Sequence, residues 1–306
     1  MELMKLIPAT KDYLWGGTKL KEEYGIKSDK EPVAEAWVLS CHPDGASVIA
    51  NGEHRGKTLE QLRREHHELF GTNCRKFEFF PMLVKLIDAK KDLSVQVHPS
   101  DDYALKNEGQ YGKTEMWYVV DCNEGAYLYY GFNKKIKPDE FKNRIENNTI
   151  CDVLNKVNVK KGDCFFIESG TIHAIGAGIL IAEIQQNSNL TYRVYDYARV
   201  GADGKPRELH VEKAMKVTKL EKPTAHYGQP KGTLLGSCDY FTSELIEVNG
   251  SAEVTSTNES FVHLLCTDGS ATVNGTELKK GDSMFIPAGF GKAYITGNAE
   301  IIASRV

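Results

Sequence analysis

The sequence predicts a mainly β protein whose short strands assemble into sandwich-like or barrel-like sheets. Runs of alternating or β-branched apolar residues recur along the chain, and Gly, Asn and Asp turn signals separate them. Only two segments have helical spacing. With 306 residues, at roughly 150 per domain, the chain is long enough for two domains.

Composition narrows the class of protein. Hydrophobic residues make up 41% and charged residues 26%, so the chain can bury a core and is not expected to be disordered. The net charge of −4 provides no basic field for nucleic acid. No apolar run approaches the ~20 residues of a membrane-spanning helix. We therefore expect neither a nucleic-acid partner nor a membrane partner.

The seven cysteines are odd in number and form no CxxC pair. A disulfide framework or a thiolate zinc site is therefore not expected. The N-terminal residues mix charged and apolar side chains in a way that does not resemble a secretory signal. Both observations indicate free thiols in the reducing cytoplasm.

Eight segments of the first 200 residues carry a strand pattern. They are 36–39, 83–87, 93–97, 116–120, 126–130, 164–167, 179–184 and 191–195. Two helices interrupt them. Thr58 can cap a helix over 59–70, where leucines recur at helical spacing. Pro138 can open a second helix, with 151–154 in the same helical region. Neither helix carries an obvious chemical motif.

A stretch rich in Pro and Gly, 221–232, separates these strands from a second set. Strands resume after it at 244–248, 261–265, 271–273, 283–286 and 300–303. We place the domain boundary in this stretch, with a first domain at 1–222 and a C-terminal domain at 223–306.

An internal repeat links the two domains. Residues 160–170 read KKGDCFFIESG and residues 279–289 read KKGDSMFIPAG, so seven of eleven positions are identical. In both copies Gly-Asp supplies a tight turn and the apolar run enters a sheet. Three residues after the final glycine, the first copy has His173 and the second has Lys292. The pattern predicts a duplication whose second copy has lost a histidine-based site.

Polar side chains share one face of the predicted strand at 93–97 and of its continuation. Because alternate side chains of a strand point the same way, Ser94, Gln96 and His98 lie together, and apolar residues lie behind them. The same parity puts Lys113 and Glu115 on one face at the start of the next apolar strand. A carboxylate there is costly unless it is paired or bound to a metal.

A candidate metal site consists of Gln96, His98, Glu115 and His173. Two imidazoles and a carboxylate are a familiar ligand set for a catalytic divalent metal, and the Gln96 carbonyl can be a fourth ligand. The nitrogen-rich set favours zinc, one ion per chain, although the same set also suits non-haem iron. On spacing alone, a hydrogen-bonded core histidine is the competing interpretation.

One segment has the pattern Gly162, five residues, Glu168-Ser169-Gly170, two residues and His173. It resembles the second cupin motif, which usually has Pro at the position of Glu168. The C-terminal copy keeps Pro287 and has Lys292 in place of the histidine. The resemblance implies two cupin-like jelly-roll β-barrels with a few supporting helices, the C-terminal barrel being degenerate and metal-free.

Six segments carry a closer resemblance: Trp15-Gly16-Gly17, Glu35-Ala36-Trp37, Gln96-Val97-His98-Pro99, Lys113-Thr114-Glu115-Met116-Trp117, Gly170-Thr171-Ile172-His173-Ala174 and Tyr192-Arg193-Val194-Tyr195-Asp196. Together they resemble the type I mannose-6-phosphate isomerases of the short bacterial form. This resemblance implies a zinc enzyme that interconverts D-mannose 6-phosphate and D-fructose 6-phosphate. The zinc ligands of that family match the same four residues.

Aldose–ketose isomerisation through a cis-enediol needs a base, an electrophile and a phosphate anchor, and zinc can be the electrophile. Glu183 is the leading base candidate, because partial burial in an apolar strand tends to raise its pKa. The resemblance matches Glu183 and Arg193 to two active-site positions ten residues apart. Arg193 offers fixed donors for a phosphate or an oxyanion. The next base candidates after Glu183 are Lys113 and a zinc-bound hydroxide. By resemblance, Lys85 and Ser94 match positions that bind the substrate phosphate.

These assignments have alternatives. Glu183 can be a solvent-facing strand residue, and Arg193 can pair with Asp196 or Glu183. The alternative functions are a metal-dependent cupin oxygenase that uses iron, and a non-catalytic sugar-phosphate-binding cupin. Gln96, Lys113 and Arg193 favour the isomerase, since Gln96 as a ligand takes a position that an oxygenase keeps open for oxygen. No sequence feature predicts an oligomeric state.

Overall fold

The computed structural model of the protein describes residues 1–200, 204–225 and 227–306. Within these ranges the chain forms twenty β-strands. They are β1 (Met4–Ile7), β2 (Ala9–Lys11), β3 (Glu35–Leu39), β4 (Val48–Ile49), β5 (Met82–Ala89), β6 (Val95–Val97), β7 (Glu115–Cys122), β8 (Tyr127–Phe132), β9 (Leu154–Asn158), β10 (Cys164–Ile167), β11 (His173–Ile175), β12 (Ile179–Gln186), β13 (Tyr192–Tyr195), β14 (Tyr227–Gly228), β15 (Leu234–Ser237), β16 (Thr242–Ser256), β17 (Val262–Val273), β18 (Thr276–Lys279), β19 (Ser283–Ile286) and β20 (Gly291–Arg305).

Short helices connect some of these strands. They are α1 (Lys19–Glu22), α2 (Leu59–Glu65), α3 (Asp101–Glu108), α4 (Pro138–Glu146) and α5 (Val211–Val217), with 3₁₀ turns at His67–Phe70, Thr72–Lys76 and Ile150–Val153. None of the helices in the described ranges is long and apolar enough to cross a membrane.

Helix α2 begins at the predicted cap. The Thr58 hydroxyl accepts a hydrogen bond from the backbone N–H of Gln61 at 3.1 Å, and Gln61 Oε1 accepts one from the backbone N–H of Thr58 at 2.8 Å. The helix ends at Glu65 and does not continue to residue 70, because His66 leaves the helical region with φ −135° and ψ 59°. Helix α4 begins at Pro138, as predicted.

The strands form three antiparallel sheets. The C-terminal sheet has the order β15-β16-β20-β17-β19-β1-β4, with β18 paired to β17. The central sheet has the order β14-β10-β7-β12-β5-β3-β2, and the outer sheet has the order β13-β6-β11-β8-β9.

The central sheet is covered on both faces. On β5, Val84 and Leu86 belong to an apolar cluster with Phe285 of the C-terminal sheet. Ile87 faces the other way and belongs to a cluster with Leu128 of the outer sheet. Because alternate residues of one strand face two cores, all eight residues of β5 are buried, and the same holds for β12.

The C-terminal sheet includes strands from the N-terminal part of the chain, since β1 pairs with β19 and β4 pairs with β1. Its strands β16 and β20 have 15 residues each. Val254, near one end of β16, and Ile301, near the opposite end of this strand pair, belong to one apolar cluster. The sheet therefore curls over its own core. The predicted boundary at residue 222 stays a prediction, and β1 shows that the first residues contribute a strand beyond it.

The prediction of a mainly β fold with a few supporting helices is confirmed. The expected closed barrel around the first site is instead a pair of open, facing sheets. Within the described ranges no strand pairing joins the central sheet to the outer sheet. The hydrogen-bond ladders end at β2 and β14 in the central sheet and at β9 and β13 in the outer sheet.

The two copies of the KKGD repeat adopt the same turn. Gly162 and Gly281 both have φ +88°, a region that favours glycine. The Asp carboxylate after each glycine accepts the backbone N–H of the first lysine, at 2.9 Å in the first copy and 3.1 Å in the second. Each turn leads into a four-residue strand, β10 or β19.

Candidate metal centre and active site

A row of four side chains crosses the central sheet on the face toward the outer sheet. In strand register, Trp37 of β3 lies opposite Lys85 of β5, Lys85 opposite Glu183 of β12, and Glu183 opposite Trp117 of β7. Glu115, two residues from Trp117 on β7, shares this face. Antiparallel pairing therefore places two carboxylates and an ammonium group side by side, although they are far apart in the sequence.

The outer sheet supplies the opposite wall. His173 of β11 lies opposite Gln96 of β6, and Gln96 lies opposite Arg193 of β13. Ser94 and His98 each lie two residues from Gln96 and share its face, as strand parity predicts. The ring centroids of His98 and His173 are 4.8 Å apart. The strand pairing thus collects the predicted polar residues in one place.

His98, Glu115 and His173 meet between the two sheets. Their ligand atoms all lie within 4.8 Å of one another, and all three side chains are buried. The Nε2 atom of His98 is 3.6 Å from Glu115 Oε2, and that of His173 is 3.4 Å from Glu115 Oε1. The structure therefore brings together three of the four predicted metal ligands.

The fourth predicted ligand, Gln96, adjoins this group. Its amide nitrogen lies 3.4 Å from Nε2 of His173, and its Oε1 accepts a hydrogen bond from the Ser94 hydroxyl at 3.5 Å. A half-turn of the amide exchanges its oxygen and nitrogen and presents the carbonyl oxygen beside Nε2 of His173. This position is compatible with a ligand role, which stays a prediction.

Both histidines are oriented by backbone carbonyls. Nδ1 of His98 donates to the carbonyl of Leu190 at 2.7 Å, and Nδ1 of His173 donates to that of Thr171 at 2.9 Å. The proton on Nδ1 leaves the Nε2 lone pair free, which is the arrangement of metal-binding histidines. Burial lowers the pKa of His98 well below its ordinary value and lowers the pKa of His173 to about 4. Both imidazoles are therefore neutral at pH 7.

Glu115 completes a donor set that fits a divalent cation. Burial raises the pKa of its carboxyl group to about 7, against the opposing charge of Lys113, whose Nζ lies 3.0 Å from Oε2. Glu115 Oε1 and Nε2 of His98 have no hydrogen-bond partner within the described residues, and Glu115 Oε2 has only the Lys113 ammonium group beside it. Buried acceptors without donors are costly. A divalent cation between them would satisfy all three.

Glu183 is held by cations on two sides. Its Oε1 lies 3.2 Å from Nζ of Lys85 and 3.4 Å from Nζ of Lys113, and its Oε2 accepts a hydrogen bond from the Trp117 indole at 2.9 Å. Burial raises its pKa, but the two ammonium groups and the indole outweigh burial and lower the pKa to about 2. The expectation of a raised pKa is therefore wrong, because strand register places two lysines beside this carboxylate. The solvent-facing alternative is also wrong, since Glu183 is buried.

Arg193 lies against Ser94. Its Nε donates to the Ser94 hydroxyl at 3.3 Å, and its Nη1 donates to the backbone carbonyl of Glu208 at 2.9 Å. Asp196, the carboxylate considered as an alternative partner, instead accepts a hydrogen bond from Nε of Arg207 at 2.7 Å.

A cavity of about 260 Å³ adjoins the histidine–glutamate group. Six predicted site residues line it: Lys85, Ser94, Gln96, Lys113, Glu183 and Arg193. Its wall also includes four residues for which the sequence predicted no role, Trp15, Glu35, Asn189 and Arg207. Trp15 and Glu35 could have been identified from the sequence, because both lie in segments of family resemblance. Asn189 and Arg207 lie in loops without strand periodicity, so no pattern could identify them.

Facing β-sheets that enclose two imidazoles and a carboxylate give this protein the architecture and the donor set typical of metal-binding cupins. Two family profiles match the chain. "Phosphomannose isomerase type I, catalytic domain" matches residues 3–125, and "Mannose-6-phosphate isomerase, cupin domain" matches residues 231–306.

Curated relatives match along nearly the whole chain. Mannose-6-phosphate isomerase ManA of Bacillus subtilis (strain 168) is 40% identical over 311 residues, which covers 98% of this chain and 97% of that protein. Mannose-6-phosphate isomerase of Streptococcus mutans serotype c is 41% identical over 301 residues, which covers 95% of this chain and 94% of that protein.

Solved structures agree with these relatives. The crystal structure of the mannose 6-phosphate isomerase from Bacillus subtilis matches with a TM-score of 0.92 and 37% identity over 100% of both chains. A putative mannosephosphate isomerase from Archaeoglobus fulgidus matches with a TM-score of 0.80 and 25% identity over 99% of this chain and 96% of that chain. The chain belongs to the type I phosphomannose isomerase family. The predicted family and the predicted enzyme class, an aldose–ketose isomerase, are confirmed.

Proposed function

We propose that the chain interconverts D-mannose 6-phosphate and D-fructose 6-phosphate by moving a proton between C1 and C2 through a cis-enediol. The observation that carries the proposal is the cavity, where a carboxylate and several cations line one space beside the His98, Glu115 and His173 group. It combines a base, an anion anchor and a metal-type donor set, which this reaction requires. The names of the relatives with 40% and 41% identity support the choice of substrate.

His98, Glu115 and His173, with Gln96 as the fourth ligand, are proposed to hold one zinc ion. The nitrogen-rich donor set and the neutral state of both imidazoles favour this metal. A divalent metal bound there supplies Lewis-acid polarisation of the sugar oxygens at C1 and C2.

Glu183 is the proposed base. Its low pKa keeps the carboxylate ionised at neutral pH, so it can accept a proton, although it is a weak base while both lysines are paired with it. A phosphate dianion that enters the cavity competes for the same ammonium groups and thereby raises the basicity of Glu183. Lys113, between Glu183 and Glu115, is the second candidate for proton transfer.

Lys85, Ser94 and Arg193 are proposed to bind the phosphate. Ser94 and Arg193 act at one place, because the guanidinium donates to the hydroxyl. Lys85 shares its charge between two carboxylates, and Arg207 is paired with Asp196. Arg193, whose guanidinium donates to neutral acceptors, therefore contributes the larger part of the attraction. A guanidinium also matches phosphate geometry through paired donors.

The test is removal and return of the metal. The purified chain is treated with chelator, reloaded with zinc or iron separately, and assayed with mannose 6-phosphate and with free mannose. We expect activity to be restored by about one zinc ion per chain and to require the 6-phosphate. Equal turnover of mannose and mannose 6-phosphate would reject the substrate. Restoration by iron alone, with oxygen consumption, would instead support the oxygenase.

A further inference from the structure

Five charged side chains alternate in sign from the cavity wall to the candidate metal group; four of them line the cavity and the fifth, Glu115, belongs to that group. Their order is Glu35, Lys85, Glu183, Lys113 and Glu115, and the successive Nζ–O separations are 3.7, 3.2, 3.4 and 3.0 Å. None of the five is more than 8% exposed. The proposed reaction assigns a task to four of them and none to Glu35, which ends the series on the side away from the metal ligands.

Glu35 is fixed in place by its neighbour on the strand. Its Oε2 accepts a hydrogen bond from Nε1 of Trp37 at 2.6 Å. The ammonium groups of Lys85 and Lys11 lie 5.2 and 4.5 Å from the centroid of the Trp37 ring. Because Glu35 and Trp37 share a face of β3 and Lys85 lies opposite Trp37 in register, the carboxylate is held against this ammonium group.

The alternating order makes the position of each charge depend on its neighbours, since buried charges 3 to 4 Å apart interact strongly. Burial alone would lower the pKa of Lys85, but the carboxylates of Glu35 and Glu183 outweigh it and raise the pKa. Without the charge of Glu35, Lys85 would keep Glu183 as its remaining carboxylate partner in this series. Glu183 would then be drawn toward Lys85 and away from Lys113.

We propose that Glu35 is a positioning residue that acts through Lys85. It shares this ammonium group with Glu183 and so keeps the Glu183 carboxylate centred between Lys85 and Lys113. The inference rests on the proposed function, in which Glu183 accepts the proton. The opposing view is that Glu35 serves the fold, as the acceptor for a buried indole.

The test is a double-mutant cycle on the zinc-loaded chain with mannose 6-phosphate as substrate. Glu35→Gln removes the charge but keeps an oxygen that can accept the Trp37 indole. We expect kcat to fall by about 10-fold or more. We expect KM to stay unchanged or to fall, because Lys85 loses a competitor of the phosphate. In a Lys85→Met background the same substitution should be neutral or should restore activity, because Glu35 and Glu183 then face each other with no cation between them.

The possible outcomes separate the positioning role, a role in the fold and the proposed function. If Glu35→Gln lowered kcat by the same factor in the wild-type and Lys85→Met backgrounds, the positioning role would be overturned. Loss of zinc from the Glu35→Gln variant would also overturn it. An inactive zinc-loaded wild type would reject the proposed function itself, so the two failures are distinguishable. Trp37→Phe removes the donor that fixes Glu35, and we expect a smaller loss of kcat that also vanishes with Lys85→Met. This variant decides the question if Glu35→Gln does not fold.

A matched control lies outside the cavity. Glu60 is a carboxylate on α2 that pairs with Arg63 and Arg64. Glu60→Gln also removes one negative charge from an ion-paired carboxylate, and it should leave kcat, KM and the response to Lys85→Met unchanged.

Discussion

The two copies of the KKGD repeat have the same turn and the same following strand, but the interior beside the first copy is polar and the interior beside the second is apolar. In the first copy, Ile167 at the end of β10 lies opposite Glu115. In the second copy, Ile286 at the end of β19 lies opposite Val262. A valine in an apolar cluster thus occupies the place that the carboxylate of the candidate metal group has in the first copy.

The histidine position differs in the same way. His173 is fully buried, whereas the Lys292 side chain is 60% exposed and pairs with Glu253 at 2.9 Å. The C-terminal core consists of apolar side chains. One β unit therefore supports a polar interior or an apolar one. The chemistry depends on a few inward-facing positions and not on the backbone that carries them.

The largest effect on activity is expected when Glu115, beside the first copy, is replaced by valine, the residue at the corresponding place beside the second copy. Glu115→Val should abolish zinc retention and lower mannose 6-phosphate turnover by more than about 10³-fold, because it removes the proposed anionic ligand. The chain should stay folded, since valine suits a buried strand. Elemental analysis and circular dichroism check both points, with His66→Ala as a control that keeps its zinc. Full zinc occupancy in Glu115→Val would contradict the assigned site.

The polar row of the central sheet is the next difference to test. Glu183→Gln should keep zinc but lower turnover by about 10²–10⁴-fold, because an amide cannot accept the proton. The decisive measurement is exchange of the C2 proton of mannose 6-phosphate with deuterated solvent. Exchange at the wild-type rate would transfer the role of base to Lys113.

The reciprocal substitution tests the apolar interior. Val262→Glu should bind no metal and should lower the free energy of unfolding by about 3–5 kcal/mol at pH 7, because it buries a carboxylate without a cation. Urea unfolding measures the loss, and part of the stability should return at acid pH as the carboxyl group is protonated. Thr272→Glu places the same group on the exposed side of β17 and should cost little. Equal losses of unfolding free energy in the two variants would show that water reaches the side chain at position 262.

The buried His263 of the C-terminal sheet is expected to make the stability of the chain depend on pH. His263 Nε2 donates to the Ser283 hydroxyl at 2.8 Å, and this hydroxyl donates to the carbonyl of Val38 at 2.7 Å. Burial lowers the pKa of His263 to about 3. The unfolded chain binds the proton near pH 6.5, so this contribution is complete above that pH and is lost as the pH falls toward 3. The loss is on the order of 3–5 kcal/mol.

His263→Leu should therefore flatten this part of the stability profile. The measurement is the urea midpoint of the wild type and of the variant between pH 7 and pH 4. Both proteins are loaded with zinc, so that protonation of His98 and His173 does not add to the pH dependence assigned to His263. Parallel profiles for the two proteins would contradict the assignment.

The smallest difference is expected in the repeated turn itself. Gly162→Ala and Gly281→Ala both place a side chain at φ +88°, which costs about 1–2 kcal/mol. A Cβ at Gly281 would also lie 2.1 Å from the backbone oxygen of Tyr24, whereas at Gly162 the nearest atom is 3.3 Å away on the Gln229 side chain. Gly281→Ala should therefore destabilise the chain more, as measured by thermal unfolding. Equal shifts in Tm for the two variants would mean that the turn at Gly281 can move away from Tyr24 without cost.

The sequence predicted local elements well and their extent less well. The capped start of α2 and the strand at β10 follow from short-range patterns. The segments 244–248 and 300–303 become the 15-residue strands β16 and β20, because the two strands pair with each other along their whole length. Helices α3 and α5 were not predicted, and α3 buries only Ala104. A helix with so little apolar surface shows no periodic pattern to detect.

The sequence by itself determined the strand parity and the duplicated turn, because these depend on residue type and on spacing along one strand. The four candidate metal ligands come from three separate segments of the chain, and the sequence selected them by residue type and by family resemblance. The tertiary structure alone decided which charges meet. Lys113, just before β7, and Lys85 of β5 become neighbours of Glu183 because β12 pairs with both strands. These contacts, with the Trp117 indole, reverse the pKa shift expected for Glu183. Arg207 reaches the cavity from a loop. Electrostatic interactions depend on distance through space, and the order of residues along a chain does not contain that distance.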